Sequence, residues 1–410
     1  MGQSPVYILG GAQSDFARNW NKEGQHFVEV MRETATTAFS SSGLEPRDIK
    51  TAHVGNFAAE LYAKQGQLGA FFLELDPAFA GLPTTRHEAA CASGSVAILA
   101  ASAEIEAGRY DCAAVVGLEQ MKTVDTATGG DFLGTAGWYE RECKGKEYPF
   151  PRLFGRLGDE YDKRFGLKDE YLAQISAVNY ANARRNPLAQ TRNWPRSEND
   201  PQQREKFNQA IAGRIKVRDC SQVSDGCAIV FLASEEFAAG YAKRVGRKLE
   251  TIPQIRGWGH HTARMEFDAK VAESRDNPYV LPHTRQAILD AFARAGVKSV
   301  FAVNGIETHD CFTTSEYMAI DHFGITQPGE SWKAIAEGVI EMGGKLPINP
   351  SGGLIGAGHP VGATGVRQML DCYRQVTGTA GDYQVDGAKT FAMLNIGGSG
   401  TTSCAFVIGS

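Results

Sequence analysis

A chain of 410 residues is long enough for about two to four domains of ordinary size, each with a substantial hydrophobic core. Its composition, 42% hydrophobic and 22% charged, is typical of a folded globular protein and excludes a disordered or fibrous one. The net charge of -5, from 42 basic and 47 acidic side chains, is not that of a nucleic-acid-binding protein.

Apolar runs of strand length alternate with amphipathic segments of helix length, which is typical of an α/β protein. The spacing predicts strands at 6–9, 112–117 and 300–304, and helices over 27–38, 284–295 and 361–373. Gly43 is suited to end the first of these helices.

A repeated pattern divides the chain into two halves. A small-residue turn and helix over 89–107 precede strands at 112–117 and 225–233, and a glycine-rich turn and helix over 352–373 precede strands at 390–395 and 401–409. The segments DGCAIVFLAS and TTSCAFVIGS are especially alike. This pattern predicts that a half-molecule has been duplicated.

The stretch from about Met121 to Asp219 interrupts the α/β alternation of the first half. It is too long for a simple loop, so we expect an inserted subdomain. Residues 141–220 contain 17 basic and 11 acidic side chains, a net charge of +6, whereas the rest of the chain carries -11. This segment could attract an anionic ligand.

The sequence contains no recognisable targeting or membrane signal. The longest purely apolar run, Cys227 to Ala233, has seven residues, far fewer than the ~20 needed to span a bilayer. The N-terminal residues lack the blocks of a secretory signal, and the C-terminal residues match no peroxisomal or ER signal. We expect a cytoplasmic protein without a membrane span.

The eight cysteines, at positions 91, 112, 143, 220, 227, 311, 372 and 404, include no CxxC pair. Zinc sites and disulfide frameworks cluster more tightly, so we expect most of these cysteines to be buried and reduced. Cys227 and Cys404 lie in matching apolar strands and are predicted core residues. The glycines of residues 356–362 match neither a dinucleotide fingerprint nor a P-loop.

One cysteine has neighbours that suggest chemistry. Cys91 lies in HEAACASGS, just before an apolar helix. At such a turn the positive end of the helix dipole lowers the pKa of a thiol and favours the nucleophilic thiolate. A packed cysteine in a turn of small residues is the alternative, and it would be favoured for an isolated case.

Histidines follow in two other motifs. His359 ends the glycine-rich NPSGGLIGAGHP, and an imidazole with an ordinary pKa of ~6.5 is a natural proton acceptor for a nearby thiol. His309 and Cys311 belong to HDCF, after a predicted strand, where α/β proteins place their chemistry. The alternative for HDCF is a buried cysteine beside a capping His-Asp pair.

Two remaining motifs are glycine-rich. Asn395 to Gly400, NIGGSG, joins two apolar strands, and its glycines could leave backbone N–H groups free for an oxyanion. A simple hairpin is the alternative. His260 and His261, in a Gly-Trp-Gly loop, are interpreted as surface or packing residues.

Taken together, these motifs resemble the thiolase family over essentially the whole chain. The resemblance rests on four motifs: HEAACASGS, the strand Ser224 to Val230 (SDGCAIV), the GHP turn and the C-terminal glycine turn. The resemblance implies a five-layered αβαβα fold of two similar halves, a loop domain that clasps coenzyme A, and a homodimer or homotetramer. It places the N-terminal half at 1–122 and 221–270, the inserted CoA-binding loop domain at 123–220, and the C-terminal half at 271–410.

Two departures from the motifs of most thiolases indicate which type of thiolase the chain resembles. Asn395 stands where most thiolases carry a second cysteine in a C-x-G turn, and HDCF replaces Asn-Glu-Ala-Phe. The chain therefore looks like the sterol-carrier-protein type of thiolase, in which the HDCF cysteine supplies the missing thiol.

The resemblance also implies a role for each site residue. His359 deprotonates Cys91, which attacks a thioester, while the backbone N–H groups of Cys91 and Gly397 stabilise the oxyanion. Cys311 removes an α-proton from acetyl-CoA, and His309 with His359 holds the enolate oxygen, either directly or through a water molecule. By position, Ser221 contacts the pantetheine arm, and the +6 segment meets the nucleotide phosphates.

The implied activity is the formation or thiolytic cleavage of 3-ketoacyl-CoA, with acyl-CoA, acetyl-CoA and coenzyme A as substrates. No permanently bound cofactor and no metal are expected, and a downstream condensing enzyme is a possible docking partner. Three alternatives stay open. A decarboxylating ketoacyl synthase would not need Cys311, a steroid side-chain aldolase should have lost Cys91, and a non-catalytic acyl-CoA- or lipid-binding relative would keep inert cysteines.

Overall fold

The computed structural model describes residues 4–410. Its strands are β1 Val6–Gln13, β2 Thr51–Gly55, β3 Thr84–His87, β4 Cys112–Glu119, β5 Ala210–Ala212, β6 Ile215–Lys216, β7 Gly226–Ala233, β8 Gln254–Thr262, β9 Gly305–Glu307, β10 Thr390–Gly397 and β11 Thr402–Gly409. Its α-helices are α1 Phe27–Ser42, α2 Ala59–Tyr62, α3 Ser93–Glu106, α4 Thr126–Gly134, α5 Pro149–Phe165, α6 Asp169–Ala183, α7 Pro201–Asn208, α8 Glu235–Arg244, α9 Phe267–Glu273, α10 Pro282–Arg294, α11 Thr313–Phe323, α12 Ser331–Ala336, α13 Gly353–Ala357 and α14 Thr364–Thr377.

Nine strands form one continuous sheet in the order β3-β2-β4-β7-β1-β8-β11-β10-β9. In the N-terminal half, β1 is antiparallel to β7, β7 is antiparallel to β4, and β4 is parallel to β2. The C-terminal half repeats this order, since β8 is antiparallel to β11, β11 is antiparallel to β10, and β10 is parallel to β9. The shared topology supports the predicted duplication. The halves join where β1 pairs with β8.

Alternation of side chains along the central strands creates the layers. On β4, Val115 faces a core formed with α3 and α14, whereas Val116 faces a separate core with α1 and α8. On β10, Met393 faces the α3 and α14 core, and Leu394 faces a third core with α10 and α11. Two helices thus lie between the half-sheets and further helices cover both outer faces, so the predicted five-layered αβαβα fold is confirmed.

Local signals agree with most predicted elements. Helix α1 ends where Gly43 adopts a left-handed φ of 71° and returns its N–H to the Phe39 carbonyl. The predicted strand at 300–304 is wrong. Residues Val300–Ala302 form a 3-10 turn capped by the Ser299 side chain, and the strand begins only at Gly305. The apolar run signalled burial of Val300 without showing which backbone form buries it.

The cysteine predictions hold as well. All eight cysteines are free and buried, and Cys227 and Cys404 lie in the core. His260 and His261 belong to strand β8 and not to a loop, which corrects the expected backbone form. The His261 Nε2 atom lies 2.9 Å from an Asp290 carboxylate oxygen, as expected of a surface or packing residue.

The stretch between the neighbouring strands β4 and β7 is mainly helical and includes α4 to α7 and the short β5–β6 hairpin. Its α5 and α6 pack against α11 and α13 of the C-terminal half, and its apolar side chains share one core with that half. The domain boundary at residues 123 and 220 stays a prediction.

Glycines bring the two inner helices close together at their N-terminal ends. A Cβ at Gly94 in α3 would lie 2.8 Å from the Gly362 carbonyl oxygen, in the turn before α14. A Cβ at Gly117 in β4 would lie 2.7 Å from the Cα atom of Ala363. Because both distances are too short for any side chain, the turn before α14 packs directly against the first residues of α3 and against β4. Within residues 4–410, no helix is both long and apolar enough to cross a bilayer.

Candidate active site

A cavity of about 410 Å³ lies where loops from both halves meet. Cys91, Cys311, His359 and Ser221 line it. The side chain of His309, fully buried, lies behind this wall, with its ring centroid 5.3 Å from that of His359. The structure therefore brings all five of the predicted side chains, from distant parts of the chain, to one place.

Cys91 lies in a tightly held turn between β3 and α3. The preceding Ala90 has a φ of 50°, a left-handed conformation that is costly for a residue with a side chain. Two side chains hold it there, since the Glu88 carboxylate accepts from the Ala90 N–H at 2.6 Å and the Ser93 hydroxyl donates to the Ala90 carbonyl at 2.6 Å. A backbone strained in this way is typical of a functional turn.

The expected low pKa of Cys91 is wrong. Burial raises the pKa of the thiol to about 12, and the nearby carboxylates of Glu119 and Glu88 raise it further. Backbone N–H groups of Gly398 and of Cys91 itself point to the sulfur and lower this pKa in part. The resting group is a thiol whose sulfur already faces two donors.

Gly398 belongs to the NIGGSG turn, whose glycines are predicted to free N–H groups for an oxyanion, whereas the family resemblance named only the neighbouring Gly397. Gly397 lies so close to the Ala89 carbonyl oxygen that a Cβ could not fit, and its own N–H remains a predicted oxyanion donor. Lys270 holds the turn that presents these amides, because its buried ammonium donates to the Ser399 carbonyl at 3.0 Å and to the Thr401 hydroxyl at 2.7 Å. This buried lysine gave no sequence signal.

His359 lies between α13 and α14, fixed at both its backbone and its ring. Its N–H donates to the Ser224 hydroxyl at 2.9 Å, and its Nδ1 lies 2.6 Å from the Thr364 hydroxyl. Because Nδ1 is occupied by Thr364, Nε2 is the ring nitrogen that remains free to face the cavity. Burial lowers the pKa of His359 to about 3, so the imidazole is neutral at physiological pH and can accept a proton.

The candidate reactive atoms lie close to one another. One donor atom each from Cys91, His309 and His359 lie within 4.8 Å of one another. Cys311 is 4% exposed, and its pKa is raised well above the usual thiol value by burial and by the neighbouring Cys91. The two thiols are therefore close neighbours, and both rest in the neutral form.

The strand-like segment at residues 220–224 links the two C-terminal loops. The Ser221 N–H donates to the Cys311 carbonyl at 2.9 Å, and Val223 forms a bridge with His359. Ser221 thus lies at the cavity wall between the thiol and imidazole loops. Its contact with a pantetheine arm stays a prediction.

Two buried carboxylates hold the loops together, Asp310 of the HDCF motif and Glu119, which gave no signal in the sequence. Asp310 accepts from the N–H of Leu354 at 2.6 Å and so fastens the HDCF loop to the start of α13. Glu119, at the end of β4, accepts from the N–H of Phe57 at 2.9 Å and from the N–H of Gly362 at 3.0 Å. Burial raises the pKa of Glu119 to about 7.

Asn395, on β10, connects the Cys91 turn to His309. It occupies the position at which the sequence lacks the cysteine of a C-x-G turn. Its side-chain amide Nδ2 is 3.0 Å from the Cys91 carbonyl oxygen and 3.1 Å from His309 Nδ1. The Ser95 hydroxyl donates to its Oδ1 at 2.7 Å. The sequence indicated only the absence of a thiol here, not this bridge.

Comparison with known sequences agrees with this geometry. The family profile "Thiolase, N-terminal domain" matches residues 6–193, and "Thiolase C-terminal domain-like" matches residues 267–410. An acetyl-CoA acetyltransferase of Methanothermobacter thermautotrophicus is 30% identical over 402 residues, 98% of each chain. The chain belongs to the thiolase family.

Further relatives extend this likeness. Sterol carrier protein 2 of Gallus gallus is 27% identical over 401 residues, which are 96% of this chain and 70% of that protein. Among solved structures, the Ltp2-ChsH2(DUF35) aldolase has a TM-score of 0.78 at 17% identity, covering 100% of this chain and 98% of that one. The acetyl-CoA acetyltransferase from Syntrophomonas wolfei has a TM-score of 0.69 at 16% identity, covering 99% of each. At these identities the structural matches show the fold.

The raised pKa of Cys91 predicts that no thiolate–imidazolium pair exists in the resting enzyme. A pKa of about 12 leaves Cys91 protonated at pH 8.5, where an ordinary free cysteine is about half ionised. We expect the difference in ultraviolet thiolate absorbance between wild type and Cys91→Ser to stay near zero from pH 6 to about pH 9. Cys143→Ser, which changes a buried cysteine that does not line the cavity, is the control. A Cys91-dependent step in absorbance below pH 8 would contradict the assignment.

Proposed function

We propose that this protein is an acyltransferase that cleaves or makes 3-ketoacyl-CoA through an acyl-cysteine intermediate. The observation that carries the proposal is the convergence of two neutral thiols, Cys91 and Cys311, and the neutral imidazole of His359 on one cavity, with the neutral imidazole of His309 directly behind its wall. The acetyl-CoA acetyltransferases among the relatives support this choice of chemistry. An aldolase without acyl transfer or a non-catalytic lipid-binding protein would not need both thiols.

In the cleavage direction, His359 Nε2 takes the proton of the Cys91 thiol as the sulfur attacks the 3-keto carbon. Backbone N–H groups of Cys91 and the 397–398 turn stabilise the tetrahedral oxyanion. The carbon–carbon bond then breaks, and its electron pair forms the enolate of acetyl-CoA, whose oxygen accepts a hydrogen bond from His309. The acyl group stays on Cys91.

Cys311 next gives its S–H proton to the α-carbon of the enolate, so that acetyl-CoA leaves. A thiol with a raised pKa is suited to this task because it is protonated when the enolate forms. Coenzyme A then enters, and its thiol proton passes to the Cys311 thiolate. The CoA sulfur attacks the acyl carbon, Cys91 leaves and recovers its proton from His359, and acyl-CoA is released. Condensation is the reverse sequence.

The two thiols predict two separable defects. After incubation with acetyl-CoA, we expect mass spectrometry to find an acetyl group on Cys91 in wild type and in Cys311→Ala, but none in Cys91→Ser. Thiolysis of acetoacetyl-CoA should fall by about 10²- to 10⁴-fold in Cys311→Ala, because the α-carbon loses its proton donor. Cys143→Ala, outside the cavity, should keep near-normal activity.

Each outcome has a clear meaning. Full thiolysis activity in Cys311→Ala would overturn the role of that residue. Absence of an acyl adduct in the wild type would favour the non-catalytic binding protein over the acyltransferase.

The nucleotide end of coenzyme A has a candidate site in the basic segment. A cleft of about 680 Å³ is lined by Arg184, Arg185, Arg196, Arg204 and Arg218, with Glu198 as its one acidic residue. Aromatic rings also line it, and they are mutually stacked. Arginines bind phosphates and aromatic rings stack on bases, so this lining suits a phosphorylated nucleotide. Asn208 lines the cleft and the next residue in the chain lines the catalytic cavity, so the two spaces adjoin there.

Neutralising exposed arginines of this cleft should weaken binding of the nucleotide. We expect Arg196→Gln/Arg204→Gln to raise KM for acetyl-CoA about tenfold at low salt and to leave the kinetics of an N-acetylcysteamine thioester unchanged, since that substrate lacks the nucleotide. The control Arg109→Gln/Arg275→Gln makes the same change in charge away from both cavities. Equal KM values for both substrates would place the phosphates elsewhere.

The predicted homo-oligomer has one structural support. Strand β3 is one edge of the nine-stranded sheet, and within residues 4–410 it pairs with β2 alone. An unpaired edge can add a strand from a second copy. Dimer or tetramer formation, docking of a condensing enzyme and a cytoplasmic location stay predictions.

A further inference from the structure

The proton on the His309 ring must be on one of two nitrogens. Burial and the nearby His359 lower the pKa of His309 well below its usual value, so the imidazole is neutral and carries a single N–H. Nδ1 faces Asn395 at 3.1 Å. Nε2 is buried, and among residues 4–410 it has no hydrogen-bond partner.

The orientation of the Asn395 amide decides between the two nitrogens. A backbone carbonyl oxygen can only accept hydrogen bonds, so the Asn395 atom 3.0 Å from the Cys91 carbonyl must be the NH₂ group. The opposite orientation would place two acceptors against each other and would separate the Asn395 oxygen from the Ser95 hydroxyl that donates to it at 2.7 Å. The amide nitrogen is therefore the atom that faces His309.

An NH₂ group facing Nδ1 makes Nδ1 the acceptor and places the ring proton on Nε2. We infer that Asn395 is a positioning residue that holds His309 in the Nε2–H tautomer, so that an otherwise unpartnered buried donor stays available beside the two cysteines. The catalytic benefit of this tautomer rests on the proposed function, because the enolate oxygen of that reaction is the acceptor for the His309 Nε2–H group.

The surroundings of Asn395 hold the bridge in place. Asn395 is fully buried on β10, and Gly365 of α14 lies against it so closely that a Cβ there would be 2.6 Å from the Asn395 oxygen. Asn395 has little room to turn. A donor fixed before the reaction stabilises a developing enolate without reorganisation, whereas the other tautomer would present a lone pair to it.

Ring-nitrogen NMR tests the tautomer directly. In wild-type protein labelled with ¹⁵N-histidine, with the His309 signals assigned by their loss in His309→Asn, we expect a protonated, pyrrole-type Nε2 and an unprotonated, pyridine-type Nδ1. A protonated Nδ1 in the wild type would overturn the inference. This experiment needs no variant of Asn395.

Replacing the amide donor of Asn395 by an acceptor should move the His309 ring proton from Nε2 to Nδ1. In Asn395→Asp, a carboxylate faces His309, so we expect the proton to move to Nδ1 and kcat for acetoacetyl-CoA thiolysis to fall about 10²-fold, with KM changed less than about threefold. Asn395→Ala serves if the buried carboxylate prevents folding, and it should show both tautomers. The control Asn304→Asp keeps the acceptor that Asn304 offers to the Lys389 and Thr390 amides and should alter neither the His309 signals nor kcat.

The readouts separate two kinds of failure. Unchanged His309 nitrogen signals in Asn395→Asp would overturn the role of Asn395, whatever the activity. A wild-type enzyme that shows the expected tautomer yet forms no acyl-Cys91 would contradict the proposed function and leave the positioning role intact.

Discussion

Burial of the reactive side chains is the constraint on which the site depends. Burial raises the pKa of Cys91 to about 12 and lowers that of His359 to about 3, so charged forms are disfavoured on both sides of the proton transfer. A resting ion pair is thus excluded, and charge appears only as substrate reacts. Backbone amides and the His309 ring are already in place for that charge, which is where preorganised donors have most effect.

The duplicated fold makes this convergence possible. Corresponding helices, α3 and α14, lie side by side between the half-sheets, and the loops before them carry Cys91 and His359. Small residues allow the turn before α14 to pack against the first residues of α3, and the buried carboxylates Glu119 and Asp310 hold the loops of the site together by accepting backbone N–H groups. Each half alone carries only part of the proposed catalytic set.

Much of this could be predicted from the sequence, because motifs of unusual residues mark Cys91, Cys311 and His359, and periodicity marks the layers. The apolar run at 300–304 gave no such guidance, since a 3-10 turn buries Val300 as well as a strand would. The direction of the Cys91 pKa could not be inferred either, because desolvation depends on residues distant in the chain. Asn395 likewise acts through contacts that only tertiary structure shows.

The central claim is that two thiols on one cavity have different tasks: Cys91 is the nucleophile, and Cys311 transfers the α-proton. Exchange of the acetyl-CoA methyl protons in deuterated water measures the task of Cys311 alone. We predict exchange in wild type, exchange within about tenfold of that rate in Cys91→Ser, which lacks the thiol nucleophile, and a loss of at least about 10²-fold in Cys311→Ala. Undiminished exchange in Cys311→Ala would contradict the account.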